Sequence, residues 1–562
     1  MRSPSAMSVA ARFCSSVDAT GRSPRIELTP TETKLFDFLL YIQHLYAPTT
    51  QLRVAGGWVR DKLRGAESED IDIVLDNIYG KEFANYITKF QRQRKLPMSS
   101  VGVVKANSDK SKHLEVAQVN VQGLMVDFVH LRSEAYTSDS RIPEAQFAAP
   151  AEDALRRDIT INALFYNLHT QQVEDFTGQG LRDLQQRIIR TPLEPHQTFL
   201  DDPLRVLRVI RFACEFGFEL DGKISESVLG NDDIREAMKR KVSRERVGIE
   251  VKKMLSGSDP ARAFTLLAEF GLLDIVFHTA GQNDEHGDEA LDEKQQALKD
   301  LFTWTPELVS RGLAHVTYLQ DSRRSVDNHK ISFIESTAAV LAPFLIPEGH
   351  VLNLKQGLDT FLESAKSDEF PAPWTQDLTE DMIMQVSVDY LHSLTELRAP
   401  FPREDLIELL KTNVKWPKPA TKRVTHIIEA IMSFPRDIDA QSAPANHIKL
   451  LLWSLRFYDV ISPAITTLLT ELTPAEERDQ YVRALQALTK RLTQQPTGEA
   501  DEPKKRVARR LDGKMIRDRL GGSVGPHIAT ALEVLSVWEF VHPEASQDQE
   551  LAFLDRLHPI LV

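Results

Sequence analysis

Two hydrophobic periods divide this chain. Between residues 51 and 129 apolar positions fall in short runs with alternation, the strand pattern. From about residue 154 onward they recur every three or four residues, the helix pattern. Ahead of both, residues 32–46 (ETKLFDFLLYIQHLY) have helical spacing. Thr29 is placed to be the N-cap, with Pro30 at the first helical position and Glu32 closing a capping box. Leu52–Ala55 predicts a strand, Gly56-Gly57 a break, Val59–Leu63 a short helix and Asp70–Leu75 a second strand. Alternate strand residues share a face, which sets Asp70, Asp72 and Val74 on one side and Ile71, Ile73 and Leu75 in a core.

Residues 80–94 predict a polar helix. Val101–Val104, Leu114–Val121 and Leu124–Val129 predict strands, the last two joined as a hairpin at Gln122-Gly123. Residues 133–153 have no period and contain two prolines, so a long, mobile loop is expected there. Helices follow at Ala154–Phe165, Pro203–Phe216, Ile234–Leu255 and Ala261–Phe270, with almost no strand thereafter. Residues 495–505 (QPTGEADEPKK) predict a linker or long loop. The expected fold class is therefore α+β: a small mixed sheet followed by an all-α remainder.

Composition narrows the class. The chain has 562 residues, enough for about three to five domains. No run of about 18 apolar residues marks a membrane span. Two cysteines, Cys14 and Cys214, cannot build a disulfide framework or a zinc site and fit a reducing compartment. The net charge of −13 argues against a coat of basic charge but leaves room for a local basic surface. Residues 1–26 carry Arg2, Arg12, Arg22 and Arg25, many serines and a single acid, Asp18, the composition of a mitochondrial transit peptide. The acidic stretch Asn283–Lys294, with its lone His286, reads as a solvated insertion rather than a metal site.

Three clusters carry candidate chemistry. Asp70 and Asp72, two residues apart on one strand face, form a hard-oxygen pocket suited to Mg²⁺. The Gly56-Gly57 turn lets backbone N–H groups approach a phosphate. Asp127, on a neighbouring strand, is either a third ligand or an ordinary strand-end residue. Arg156-Arg157-Asp158 heads an apolar segment: arginine suits bidentate phosphate contact, and an ionised carboxylate suits a ribose hydroxyl because it only accepts. In the third cluster Pro203 opens a helix with Asp202 as its N-cap, and Arg205, Arg208 and Arg211 recur every third residue. A carboxylate beside a guanidinium matches the amino donor and ring-nitrogen acceptor of cytosine and adenine. Uracil and guanine present the reverse pair and leave groups mispaired.

The chain resembles class II tRNA nucleotidyltransferases, the CCA-adding enzymes, of eukaryotic type. The resemblance is carried in order by GGWVRDKLRG…DID (56–72), RRDITINA (156–163), DFTGQGLRDL…IR (175–190), DDPLRVLRVIRF (201–212) and SRERVGIE (243–250). Bacterial poly(A) polymerases share several of these motifs. The resemblance implies a leader at 1–28, a head or palm nucleotidyltransferase domain at 29–170, a helical neck at 171–260, a helical body at 261–440 and a tRNA-binding helical tail at 441–562. It implies template-independent addition of C, C and A to the 3′ end of tRNA from CTP and ATP, with pyrophosphate released. Asp70 and Asp72 would hold two Mg²⁺ ions and Gly57 and Arg60 would meet the triphosphate. Arg157 would bind the nucleotide and Asp158 the ribose. Asp202 and Arg205 would read the base, and Arg208 and Arg211 would orient it.

Residues 175–190 would be the hinge for switching from C to A, and 133–153 the loop needed for adding A. Asp201 stands where the family commonly has Glu, in a helix-supporting role. The basic run Lys504, Lys505, Arg506, Arg509, Arg510, Lys514, Arg517 and Arg519 is either a solvated face or a phosphate grip on tRNA. A monomer is favoured, with no membrane association and with mitochondrial, nuclear and cytoplasmic pools. The alternatives are a poly(A) polymerase, a partial CC- or A-adding relative, and a non-catalytic RNA-binding protein on the same scaffold.

Overall fold

The computed structural model describes residues 24–68, 70–104, 116–137, 140–277, 302–326, 331–344, 375, 378–398, 403–435, 443–457, 460, 461, 463, 464, 466, 467, 510–521 and 527–561. The leader up to residue 23, His286, the 495–505 linker and Lys504–Arg509 lie outside them. The chain divides into two compact units, Met1–Met254 with Leu266–Glu285, and Leu255–Thr265 with His286–Val562.

The first unit opens with α1 (Pro30–Tyr46), capped as expected: Glu32 N–H donates to Thr29 Oγ1 at 3.2 Å and Thr29 N–H to Glu32 Oε2 at 2.8 Å. There follow β1 (Leu52–Ala55), α2 (Gly57–Leu63), β2 (Ile71–Leu75), α3 (Gly80–Gln93), β3 (Val101–Val104), β4 (Val116–Val121) and β5 (Leu124–His130). The β4–β5 turn is the expected one, with Gln122 and Gly123 both at positive φ (53° and 90°).

Residues 133–153 depart from the expectation. They form the hairpin β6 (Arg132–Thr137) and β7 (Ser140–Phe147), paired antiparallel, and then α4 (Pro150–Leu155). The sequence hides this hairpin because it lacks the apolar alternation of a strand packed on a core. The helix expected over 154–165 is also replaced. After α4 come one 3₁₀ turn (Thr160–Asn162) and two strands, β8 (Leu164–Asn167) and β9 (Gln172–Asp175). All four β8 residues are buried, and a short, wholly buried strand has no period-2 signature to separate it from a helix.

The main sheet runs β3-β4-β5-β2-β1-β8-β9. β2 pairs parallel with β5, placing Asp72 opposite Asp127. Val74, expected on an open face, is buried in a cluster with Ala55, Leu131, Ala154, Ala163 and Phe165. On the other face α3 lies close to β5: a Cβ on Gly80 would sit 2.1 Å from the Phe128 carbonyl oxygen, so only glycine fits. Trp58 on α2 is fully buried between Phe36 and Tyr166, with ring centroids 5.6 and 5.7 Å away.

The helices α5 (Gly180–Gln186), α6 (Pro195–Asp201), α7 (Leu204–Phe216), α8 (Gly222–Gly230), α9 (Asp232–Lys241), α10 (Arg244–Leu255), α11 (Pro260–Glu269) and α12 (Leu273–Phe277) follow. Short parallel strands β10 (Ile188–Ile189) and β11 (Glu219–Leu220) are a further addition to the helical reading. The single helix expected over 234–255 is broken at Val242, which is extended (φ −104°, ψ 124°). In the second unit the described elements beyond Phe302 are helical, from Pro306–Val326 to Gln547–Leu561. No helix among the described residues is long and apolar enough to cross a membrane.

Candidate active site

The turn between β1 and α2 is shaped by Gly56 rather than Gly57. Gly56 has φ +75°, and a Cβ there would lie 3.1 Å from Arg157 Nη1. Gly57 is the first helical residue; its first-turn amide is of the kind that lacks an intrahelical acceptor and suits an anion. Glu32 steadies α2 from behind, accepting from Trp58 Nε1 at 2.9 Å and from Lys62 Nζ at 2.8 Å. Burial would raise the Glu32 pKa, but these donors and Thr29 more than offset it and hold it below the ordinary value.

Asp70, Asp72 and Asp127 converge. One carboxylate oxygen of each lies within 4.8 Å of the others, with Asp70 exposed and the other two half-buried. The parallel register of β2 and β5 does this, since Asp72 and Asp127 are direct partners. Burial first, then the charges of Asp70 and Asp127, push the Asp72 carboxyl up to about 7 against the pull of Arg157. Three oxygens crowded against electrostatic preference are a donor set that a hard divalent cation would satisfy. Asp127 thus joins the pair that the sequence made explicit.

Behind this cluster the RRD segment is tightly held. Arg157 Nη1 donates to the Asn162 carbonyl at 3.1 Å, and the guanidinium carbon sits 5.0 Å from the Phe165 ring centroid. Asp158 is buried and paired with Arg208 Nη2 at 2.7 Å, while Asn162 Nδ2 donates to it at 3.1 Å. Burial would raise its pKa. The Arg208 charge, the Asn162 and Arg208 hydrogen bonds and the Arg205 charge outweigh that and bring it to about 2. Arg60 is also buried: it donates to Asp61 at 2.9 and 2.7 Å and lies 4.6 Å from the Phe216 ring centroid. Asn162, part of the RRDITINA motif but given no role by the sequence, also accepts from Arg60 Nη1.

The third cluster is arranged differently from the sequence expectation. Asp202 is the C-cap of α6 rather than the N-cap of α7, although its Oδ1 accepts from Leu204 N–H at 3.3 Å. Its ion-pair partner is Arg246 on α10, across a fork of 2.7 and 3.3 Å. Arg205 donates to the Thr198 and Arg156 carbonyls at 3.4 and 2.6 Å. Burial would raise the Asp202 pKa, but Arg246 and, further down, Arg205 keep it below the usual carboxylate range. Arg211 Nε donates to Glu250 Oε2 at 2.6 Å and its guanidinium lies 3.9 Å from the Phe212 ring centroid. Arg208 also faces Glu250, at 3.7 Å. Asp201 accepts from Gln197 one turn earlier at 2.7 Å, a contact within α6.

Arg246 and Glu250 were thus the missed partners. The signal was present: they stand four residues apart in SRERVGIE, the spacing that aligns two side chains on one helix face. Of the basic tail, Arg510 donates to the Pro543 carbonyl at 2.8 Å and Arg519 pairs with Asp555 at 2.7 Å.

Residues 52–190 match the Poly A polymerase head domain, and residues 236–280 match the probable RNA and SrmB-binding site of polymerase A. Sheet, glycine turn and carboxylate cluster therefore belong to a nucleotidyltransferase head. The chain is 30% identical over 554 residues to the mitochondrial CCA tRNA nucleotidyltransferase of Candida glabrata, covering 95% of this chain and 97% of that protein. It is 45% identical over 266 residues to the mitochondrial CCA tRNA nucleotidyltransferase of Saccharomyces cerevisiae, covering 45% of this chain and 48% of that protein. It belongs to the CCA tRNA nucleotidyltransferase family. The fold is shared with the Bacillus stearothermophilus CCA-adding enzyme solved in complex with CTP, at 18% identity and a TM-score of 0.50 over 95% of this chain and 99% of that one.

Proposed function

We propose that this chain adds C, C and A to the 3′ end of tRNA from CTP and ATP, releasing pyrophosphate, without a nucleic-acid template. The observation that carries the reading is the convergence of three carboxylates beside the Gly56 turn, in a chain related over almost its full length to a CCA-adding enzyme. Asp70 and Asp72, with Asp127 beside them, fit two Mg²⁺ ions. When bound, these would acidify the tRNA 3′-hydroxyl and offset charge on the leaving pyrophosphate. The hydroxyl attacks the α-phosphate in line, and the chain's own residues hold the two reactants for it.

The Gly57 amide, Arg60 and Arg157 receive the triphosphate in this reading, and Asp158 accepts from the ribose hydroxyl. Asp158 is ionised throughout the neutral range, as that role requires. Arg60 sits deep against Phe216, so it acts from below the phosphates. Asp202 accepts from the base amino group and Arg205 donates to the ring nitrogen. In this structure Asp202 is held by Arg246, so base reading requires Asp202 to share its carboxylate between Arg246 and the base. Arg208 and Arg211, fixed by Asp158 and Glu250, form the floor on which the base is oriented. Residues 175–190 and the β6–β7 hairpin serve the change from C to A. The names of the two yeast relatives and the Arg- and Ser-rich leader support a mitochondrial site of action, and we extend the proposal to nuclear and cytoplasmic pools.

The test supplies tRNA lacking its 3′ end with each nucleotide separately and then with CTP and ATP together. Growth by C, C and A followed by arrest is expected. Extended A tracts would replace this reading with poly(A) synthesis, and no growth with retained tRNA binding would replace it with a binding scaffold. Asp70→Ala and Asp72→Ala should each lower addition by more than about a thousandfold while tRNA binding persists.

A further inference from the structure

The paired arginines of the RRD segment are held by a carboxylate that the reaction does not use. Asp153, on α4, is fully buried. Its Oδ2 accepts from Arg157 Nε and Nη2 at 3.1 and 2.9 Å, and its Oδ1 accepts from Arg156 Nε at 3.0 Å. Positions three and four residues ahead face back along a helix, so one carboxylate reaches both. The same Oδ1 accepts from the Arg132 backbone N–H at 3.3 Å, and Arg156 Nε donates to the Arg132 carbonyl at 3.0 Å. Arg132 is the first residue of the β6–β7 hairpin. The Arg156 carbonyl in turn accepts from Arg205 Nη2 at 2.6 Å. The other root of the hairpin rests elsewhere: Phe147 packs on Tyr79 and His130, with ring centroids 4.9 Å away in each case.

We propose that Asp153 is a positioning residue for nucleotide binding, the joint through which the β6–β7 hairpin sets Arg157 and, by way of the Arg156 backbone, Arg205. The inference rests on the reading of Arg157 and Arg205 as nucleotide contacts. Two edges of the Arg157 guanidinium are pinned, Nε and Nη2 by Asp153 and Nη1 by the Asn162 carbonyl, which leaves it aimed at the Gly56 turn. A side chain held in advance loses little freedom when the ligand arrives. Freeing it therefore weakens binding more than it slows chemistry. Displacement of the hairpin root moves the same carboxylate, so hairpin and nucleotide site are linked in both directions.

The test is a double-mutant cycle on the full chain. Asp153→Asn keeps the volume and removes the charge. It should raise KM for both CTP and ATP by about tenfold or more, the effect of losing charge-assisted hydrogen bonds, with a much smaller change in kcat. In an Arg157→Ala background it should add clearly less, the remainder passing through Arg156 to Arg205. Hydrogen exchange supplies the second readout: CTP with Mg²⁺ should slow exchange of the 132–137 amides in the parent chain and not in Asp153→Asn. Should Asp153→Asn melt below assay temperature, Arg156→Lys takes its place. It keeps the charge but loses the fork that spans Asp153 and Arg132, and should abolish the CTP effect on 132–137. A KM within about twofold of the parent, an equal KM rise in the Arg157→Ala background, or exchange in the parent chain indifferent to CTP would each overturn the proposal. Failure of the parent chain to extend tRNA would instead refute the functional reading.

Discussion

Replacing Asp127 by Asn tests the physics of the carboxylate cluster. The variant keeps the shape and removes one of three negative charges whose oxygens lie within 4.8 Å of one another. At that separation a like-charge pair costs about 1–3 kcal/mol, taking an effective dielectric between that of water and about 20. Asp72 bears most of this strain, because burial and its neighbours already raise its carboxyl to about 7. For an acid whose folded pKa exceeds the unfolded value of 3.8, the folded state holds the proton longer. Stability of the metal-free protein then falls as pH rises from about 4 to 7. Asp127→Asn should flatten that fall: its gain in stability over the parent should be larger at pH 8 than at pH 5 by about 1–3 kcal/mol, the Asp72–Asp127 repulsion that exists only once Asp72 is ionised.

The metal response should move the other way. A cation at Asp72 displaces its proton, which with the carboxyl at about 7 most molecules hold at pH 6 and few at pH 8. Apparent Mg²⁺ affinity of the parent should therefore drop about tenfold between pH 8 and pH 6. The variant should bind Mg²⁺ more weakly at pH 8 and show a shallower pH dependence. Melting curves of the full chain across a Mg²⁺ titration at pH 5, 6 and 8 measure both effects. A Mg²⁺ affinity flat from pH 6 to 8, together with an unaltered metal-free stability of Asp127→Asn at pH 8, would refute the reasoning.

Other expectations follow from the neighbouring contacts. Asp202→Ala should broaden nucleotide choice, and Arg246→Gln should do so more weakly by releasing the Asp202 fork; unchanged C and A selectivity in misincorporation assays would remove base reading from Asp202. Deleting residues within 138–147 should spare both C additions and impair the final A, and equal loss of the two steps would contradict the hairpin's role. The Asp158–Arg208 pair should support the fold above pH 4, with its contribution lost as pH falls from 3.8 toward about 2. Arg208→Gln should therefore reduce acid sensitivity while lowering stability at pH 7 by about 3–5 kcal/mol, the range for stranding a buried charge, as read by chemical denaturation.

The sequence by itself determined the parts that local chemistry dictates. The Thr29–Glu32 capping box, the β1–turn–α2–β2 element and the Gln122-Gly123 hairpin were legible because each depends on residues a few positions apart. Asp70, Asp72, the RRD segment and the arginine stripe were legible as candidates for the same reason, since charged residues at fixed spacing declare a face. Tertiary structure decided which of them meet. Parallel pairing of β2 with β5 brought Asp127 to Asp72 across 55 positions of sequence, and no local pattern encodes strand order. The packing of α10 gave Asp202 to Arg246 and Arg211 to Glu250, so the carboxylate proposed to read the base has a partner outside its own motif. The stretch 133–153 read as a loop because its two strands pair with each other outside the main sheet and their sequence carries no apolar alternation for periodicity to register. Spacing fixes what a residue can do; the register of strands and the approach of helices fix what it does it with.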